Sequence, residues 1–432
     1  MSKYAHRRKA GSPHVKSYYA ATADKSLMFR VLEGETRVDV AVIGGGFTGL
    51  SAALHLSRRG YHVGLIEANL IGWGASGRSG GLLLGGFSGE EKFAKRHGQD
   101  LADVAWRMRW DGNEIVRGTV EEFGIECELK WGHLDAARKS KQAQGLAKRL
   151  AELEAHGFGE DVSLLGPDEM RETIGSDAFA GGLLNRRNGH LHPLKLAQGE
   201  ARAAASLGVE IFEHSPAISV SKQRPYMIES LRGHLIADNI VVAGDAYLDT
   251  VRKVRGYVFP AASFMIATRP LDDATAARIN PQDLSVCDTK HIVNYFRLSP
   301  DKRLLFGGRV NYSGRMIRDI PRVLMPRLKR IYPELASQRV DYAWGGRMGV
   351  TLNRIPHIGR MGDGIYCAQG YAGHGINMAH LAGRLLAEAM AGENERFDLF
   401  GKIRHAPLPG GKFFANPLMS LALFYYRLKD LL

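Results

Sequence analysis

The stretch "VDVAVIGGGFTGLSAALHLSRRGYHVGLIE", Val38 to Glu67, leaves this chain few folds to adopt. Val38 to Ile43 is a short apolar run of the kind a parallel sheet buries on both faces. It enters a G-x-G-x-x-G at Gly44, Gly46 and Gly49. A helical pattern follows, with Phe47, Leu50, Ala53 and Leu54 on one stripe and Gly60 at its end. "HVGLIE" reads as the next strand, so the stretch is a β-α-β unit. In that setting the first glycine permits a tight turn, the second lets backbone approach a pyrophosphate, and the third lets helix pack on strand. The helix N-terminus, with Phe47 and Thr48 in its first turn, supplies N–H groups and partial positive charge for phosphates. Glu67, followed by Ala68, ends the second strand, where a carboxylate accepts both ribose hydroxyls and repels a 2′-phosphate. The unit predicts dinucleotide binding and does not by itself separate NAD from FAD.

A second glycine-rich loop, "IGWGASGRSGG" from Ile71 to Gly81, comes immediately after that acid. A nicotinamide dinucleotide is satisfied by one loop and the strand edges. Here Gly74, Ala75, Gly80 and Gly81 let backbone run close beside a longer, flatter ligand, past the pyrophosphate to a fused ring. Ser76, Arg78 and Ser79 can bond its phosphate, ribityl or ring oxygens, and Trp73 is out of place in a loose surface loop. FAD is the dinucleotide this predicts. A third such turn, "GYAGHGINMAHLAGRLL" from Gly370, follows the strand "GIYCAQ" and opens a helix whose Ile376, Leu381, Leu385 and Leu386 face the sheet. The N–H groups of Gly373, His374, Gly375 and Ile376 can meet the flavin edge where negative charge gathers on reduction. On periodicity alone, a sheet-helix crossover without a ligand stays open.

Along the rest of the chain, residues 90 to 156 read mostly as charged amphipathic helix, broken by a strand at "ECELKWGHLDAA". "AGGLLN" is a strand and "HPLKLAQGEARAAASLG" a helix, with Pro193 in its first turn and Gly208 after its end. "VEIF" and "NIVVAG" are further buried strands, and the pattern from Val258 to Gly314 is β-rich. The expected fold class is α/β (α+β): a Rossmann-like domain discontinuous in sequence, with an inserted β-rich domain. The expected division is 1–36 an extension, in which the tyrosines of "SYYAATA" pack; 37–90, 165–250 and 345–400 the dinucleotide domain; 91–164 and 251–344 the substrate domain; and 401–432 a tail helix.

Cys127, Cys287 and Cys367 are far apart and form no C-x-x-C, which argues against a disulfide framework, a zinc ribbon or a redox dithiol. His190 and His192 form an H-x-H without a third plausible ligand, so no metal is expected. The net charge of +13 is spread out and accompanied by no nucleic-acid motif, so solvated helix faces explain it and no nucleic-acid partner is expected. The basic opening residues lack the apolar core of a signal peptide and no apolar run reaches membrane-spanning length, giving the expectation of a cytoplasmic protein. "NPLMSLALFYYRLKDLL" is an amphipathic helix candidate that either docks on the body or makes weak membrane contact.

The second loop resembles the G-A-S-G-R-N-G-G element of the D-amino-acid-oxidase-like family of FAD-dependent oxidoreductases, with Ser79 where asparagine is common. The resemblance extends through "GHLHPLKLA", "YFRLSPDKRLLFGGR", "TLNRIPHIGR" and "GYAGHGINMAHLAGRLLAEAM", and is greatest to the γ-glutamylputrescine oxidase branch. It implies an FAD-binding domain of the glutathione-reductase type, with Ala217 and Gly244 added to the cofactor contacts. It also implies oxidation of the carbon beside an amine nitrogen. Hydride passes to flavin N5, and the imine hydrolyses to an aldehyde or keto product. Oxygen, giving hydrogen peroxide, or a quinone or other carrier is the acceptor. Relatives with covalent flavin use a histidine in the second loop or a cysteine before the last strand; Ser79 and "GVTLNRIPHIG" supply neither, so non-covalent FAD is expected. Sarcosine-oxidase-like relatives place a lysine above the flavin, and none lies between Arg303 and Tyr312, which leaves the acceptor open. A γ-glutamylputrescine-like substrate carries a carboxylate, for which Arg297 and Arg309 are the candidates, with Tyr295, Tyr371 and His374 as pocket wall. A tRNA-modifying flavoenzyme of the same fold and a non-catalytic FAD-binding subunit are the alternatives. The sequence leaves the oligomeric state open.

Overall fold

The computed structural model describes residues 11–90, 93–248, 250–251, 253–289 and 293–407, with backbone alone at 309. The tail-helix expectation falls largely on 408–432, outside the described residues.

Among the described residues, two sheets organise the chain. The first runs His357–Gly362, Ile365–Gln369, Arg232–Val242, Glu33–Ile43, Val63–Ile66, Glu210–Phe212, with Ser219–Val220 and Tyr226–Glu229 attached beside Arg232–Val242. Its central strands pair in parallel, Ile43 opposite both Ile66 and Val242. Parallel pairing requires crossovers, and the helices supply them. Phe47–Ser57 packs between this sheet, helix Pro193–Ser206 and helix Gly375–Met390, so Phe47 through Leu54 are all buried. Ile376, Leu381, Leu385 and Leu386 join the same core, as the helical stripe predicted. This is the Rossmann-like, discontinuous α/β body.

The second sheet runs Val340–Val350, Phe259–Thr268, Leu304–Asn311, Asn294–Leu298, Ser285–Asp288, Lys130–Ala137, Gly181–His190, Leu82–Leu83, with Val162–Leu165 also on Gly181–His190. It buries Leu134, Leu184, Phe264, Ile266, Phe296 and Phe306 against helix Ile320–Leu328 and its neighbours. Three expected boundaries change here. Gly181–His190, placed in the dinucleotide stretch 165–250, pairs antiparallel with Lys130–Ala137 in the second sheet. Val340–Val350 pairs over its length with Phe259–Thr268, so the strand crosses the expected break at 345. Helix Asp111–Phe123, expected in the substrate domain, lies on the closing helix of the first body, where a Cβ on Gly112 would stand 1.9 Å from Asn377 O. Long-range pairing decided all three, and local pattern carries no record of the partner.

Tyr18 and Tyr19 are buried in the short helix Tyr18–Thr22, packed with Leu194, Met265, Leu305 and Trp344. The cysteines form no disulfide, and burial pushes the Cys127 and Cys367 thiols up to about 12. His192 is the N-cap of Pro193–Ser206, its Nδ1 accepting the Lys195 N–H, while His190 Nε2 donates to Asp283 O. The H-x-H is thus a strand end followed by a helix cap. Among the described residues no helix is long and apolar enough to cross a membrane.

Candidate active site

Both glycine loops meet where the parallel strands end. Gly44 donates to Ile66 O at 2.9 Å, and a Cβ on Gly49 would lie 2.0 Å from Gly44 O, so only glycine lets the helix begin so close to the strand. Helix Phe47–Ser57 has Gly46 as N-cap, no side-chain cap and no acid in its first turn. Such an end presents amide donors and positive potential to an anion. The second loop is seated on the first: Ser76 Oγ accepts the Phe47 N–H at 3.0 Å, and Gly72 N–H donates to Gly45 O at 2.8 Å. Glu67 accepts N–H groups from Gly45 (2.8 Å) and Asn69 (2.9 Å). Desolvation raises its carboxyl above the usual range, and those backbone donors work against the rise. Ala68 follows Glu67 at the same strand end.

Within the second loop, Arg78 lies over the Trp73 ring at 4.2 Å and donates Nε–H to Trp73 O at 2.8 Å. Its Nη2 is buried and meets no hydrogen-bond partner among the described residues. A buried guanidinium nitrogen without an acceptor is costly unless a ligand supplies one. Gly74 lies on Tyr247, Ala75 precedes the turn Ser76–Arg78, and Ser79 Oγ donates to Ser76 O at 3.4 Å. A Cβ on Gly80 would meet the Tyr295 ring at 2.7 Å, so Tyr295 forms the floor beneath the loop. Burial pushes its phenol up to about 12, with Ser263 Oγ, at 3.2 Å, working against the rise.

The closing turn comes to the same place. Tyr371 OH and Thr48 Oγ1 share a buried hydrogen bond of 2.7 Å, tying the third glycine turn to the first loop. His374 is the N-cap of Gly375–Met390, whose first turn contains no acid, and a Cβ on Gly373 or Gly375 would meet nothing within 4 Å. Gly373 and Gly375 therefore border open space, while the His374 N–H donates to Tyr371 O at 3.1 Å. Ala217 packs with Ile43, Ile66 and Val242, the last residues of three sheet strands, and Ala243, next to Gly244, touches Gly44. The first loop, Glu67, Ala217 and Gly244 lie at the ends of the parallel strands, while Gly80 and Gly81 lie against Tyr295 and Leu191.

The expected catalytic residues do not share one fate. Tyr295, Tyr371 and His374 border the loops. Arg297 does not offer a free guanidinium: it is 1% exposed and donates to Leu191 O (2.9 Å), Gly80 O (3.3 Å) and Leu298 O (3.2 Å). Its strand face puts it behind the second loop, as the clamp of the loop's backbone. The Arg309 side chain lies outside the described residues. Asp245 escaped sequence reasoning. Its carboxylate accepts N–H groups from Gly349 (2.6 Å) and Gly370 (2.9 Å), fastening the second sheet to the closing turn. The signal for it was available, since "GDAY" directly follows a buried parallel strand.

Two helix N-termini without acids, glycine backbone at close approach, open space before the closing helix and a buried donor without an acceptor fit a diphosphate-linked dinucleotide with a flat ring. The family model described as "FAD dependent oxidoreductase" (DAO) matches residues 39–389. The chain belongs to the DAO family of FAD-dependent oxidoreductases. It is 38% identical over 420 residues to gamma-glutamylputrescine oxidoreductase of Escherichia coli (strain K12), covering 96% of this chain and 98% of that protein. It is 24% identical over 387 residues to glycine oxidase of Geobacillus kaustophilus (strain HTA426), covering 85% and 97%. The crystal structure of glycine oxidase from Geobacillus kaustophilus superposes with a TM-score of 0.73 at 23% identity, covering 86% of this chain and 99% of that one. L-proline dehydrogenase from P. horikoshii gives 0.71 at 21% identity, covering 87% and 100%. In this DAO-family enzyme FAD is the cofactor.

Proposed function

We propose that this DAO-family oxidoreductase oxidises the carbon–nitrogen bond of a small aliphatic amine whose carboxylate stands away from the reacting carbon, as in γ-glutamylputrescine. The observation that carries the reading is the sheet face turned to the second glycine loop. In the register of the edge strand, Phe259 stands opposite Val350, Ala261 opposite Met348 and Ser263 opposite Gly346. Side chains two apart share a face, and Gly346 lies 3.2 Å, measured from an ideal Cβ, from Arg78 Cβ. This face therefore looks onto the loop, and Val310, Tyr312, Met348 and Ala372 complete an apolar wall on Phe259, Ala261 and Val350. The described side chains of that wall are uncharged, which suits a polymethylene stem and a neutral amine rather than a charge beside the reacting atom. Arg309 remains the proposed holder of a distant carboxylate, and Arg297 does not.

Bound FAD, held non-covalently, would accept the hydride from the carbon beside the nitrogen. The wall keeps water from the amine, and the N–H groups of Gly373, Gly375 and Ile376 would be fixed dipoles where negative charge grows. The imine left on such a primary amine takes up water and divides into an aldehyde and ammonia. An anaerobic absorbance spectrum tests this: flavin bands should bleach with γ-glutamylputrescine and not with glycine. Bleaching by glycine alone would sink the substrate reading. Fast return of the bands in air assigns oxygen as acceptor, and slow return assigns a quinone or other carrier. Flavin remaining with acid-precipitated protein would overturn non-covalent attachment.

A further inference from the structure

Residues 11–22 precede the region matched by the family model, which starts at 39, yet they are fastened along the second glycine loop. Gly11 N–H donates to Ala68 O at 3.1 Å and Ser12 N–H to Asn69 Oδ1 at 2.9 Å. The Trp73 indole N–H donates to Pro13 O at 2.9 Å. Farther along, Tyr19 OH donates to Gly80 O at 3.3 Å. Positions 11, 12, 13 and 19 thus engage 68, 69, 73 and 80 in the same order, so the two segments run side by side from the ribose acid to the end of the loop.

The Tyr19 end is built into the interior. Its ring is fully buried, edge-on to Trp344 at 5.2 Å and to His192 at 4.8 Å. Trp344 in turn donates its indole N–H to Arg78 O at 3.1 Å. Arg297 Nη2 reaches Tyr19 OH at 3.4 Å while its Nε donates to Gly80 O, so tyrosine and arginine hold one carbonyl between them. Gly80 has no side chain with which to hold itself, and its carbonyl is the handle the chain offers. The far end is tied differently, by Asp24 to Arg202 on helix Pro193–Ser206, away from the loop.

We infer that residues 11–22 form a fixed outer strap of the FAD cradle, with Tyr19 as a positioning residue that holds the second glycine loop at Gly80 and so governs how tightly the cofactor is kept. The strap touches the back of the loop, and its effect on FAD passes through loop position. Full-length apo-protein titrated with FAD by fluorescence quenching tests this with no turnover involved. Tyr19→Phe keeps the packing and removes the hydroxyl bond, so its Kd for FAD should rise about 3–10-fold, the span of one hydrogen bond. Tyr19→Ala should raise it further, and trypsin should then cut apo-protein after Arg78 faster than wild type. Arg202→Ala, which removes only the ion pair to Asp24 and leaves its bonds to Gln198, should leave both readouts at wild-type values. Wild-type FAD affinity in Tyr19→Phe and Tyr19→Ala would overturn the inference. Equal loosening by Arg202→Ala would also overturn it, by showing that general loss of stability is the cause. Should Tyr19→Ala not fold, Tyr19→Phe decides alone. Failure of wild type to bind FAD would instead strike the cofactor assignment.

Discussion

Replacing His380 with leucine should cost this protein about 3–5 kcal/mol, the range for stripping one partner from a buried ion pair. His380 lies on the closing helix and Glu200 on Pro193–Ser206, with side chains 1% and 0% exposed. Imidazole Nδ1 faces Ile376 O at 2.6 Å and Nε2 faces Glu200 Oε1 at 2.5 Å. Both ring nitrogens face oxygens, and the Glu200 charge and hydrogen bond favour the protonated ring. Glu200 Oε2 already has no partner, so leucine at 380 leaves a buried carboxylate with nothing on either oxygen. Replacing both residues with leucine removes the charge problem, and the double variant should recover to wild-type stability or exceed it. The pair matters to the site because the His380 ring packs on Phe47 at 5.1 Å and Ser51 Oγ donates to His380 O at 2.8 Å, directly under the first glycine loop.

The pH dependence follows from the same contacts. Burial pulls the His380 pKa down, but the Glu200 charge and hydrogen bond, with the Ile376 carbonyl, more than offset it, and the net shift is upward. A raised folded pKa means the stabilisation is fully present below the unfolded imidazole value and is lost as pH rises through the folded one. Thermal unfolding of apo-protein, wild type beside His380→Leu, measured from about pH 5.5 to about pH 9 around the ordinary imidazole value, reads this directly. At roughly 2 °C per kcal/mol for a large chain, the gap in Tm should be about 6–10 °C in acid and should narrow toward alkaline pH. A gap that widens with pH, or a double variant as unstable as the single, would refute the ion-pair reasoning.

Gly49→Ala should lose FAD, since its Cβ would sit 2.0 Å from Gly44 O and helix propensity of about 1 kcal/mol cannot offset backbone displacement; flavin absorbance of the purified variant checks it. Arg297→Met should lower Tm and flavin retention because it deprives buried carbonyls of a donor, whereas Arg309→Ala should raise KM for a carboxylate-bearing amine. Unchanged KM in Arg309→Ala removes the carboxylate assignment. Asp245→Asn puts an amide N–H₂ where one of two backbone N–H groups needs an acceptor, at a cost of about 1–3 kcal/mol, seen as a lower Tm and weaker FAD binding.

The cofactor half of the site was legible because glycine motifs are statements about backbone, and backbone is what a dinucleotide touches. Gly44, Gly46 and Gly49 could mean little else once strand, helix and Glu67 stood in order. The closing turn followed for the same reason, and the packing of Tyr371 on Thr48 then came from the fold. The second loop reads in the sequence as running from the pyrophosphate toward the ring, and the fold adds what it rests on. Ser76 Oγ accepts the Phe47 N–H, a bond that seats the second loop on the first and that neither loop's sequence announces. Domain boundaries were illegible where a strand's partner was distant. "AGGLLN" reads as a buried strand in either sheet, and only the pairing of Leu134 with Leu184 decides which.

Side-chain roles on the second sheet were the least legible, and Arg297 shows why. A strand presents alternate residues to opposite faces, so an arginine in "NYFRLS" is either a ligand holder or a buried clamp according to register. Phe296 points into the apolar core and Arg297 to the other face, which would favour a ligand role if that face were open. It is not, because Tyr19 and the second loop already cover it, and Tyr19 comes from a segment nearly three hundred residues away in sequence (|i−j| of 278). The unused donors of an arginine are therefore a property of the assembled fold. Once Gly80 O, Leu191 O and Leu298 O take those of Arg297, a substrate carboxylate could displace them only by leaving buried carbonyls unpaired. That cost is what moves the anion-binding role off Arg297, and it makes the same residue a fixed support of the second glycine loop.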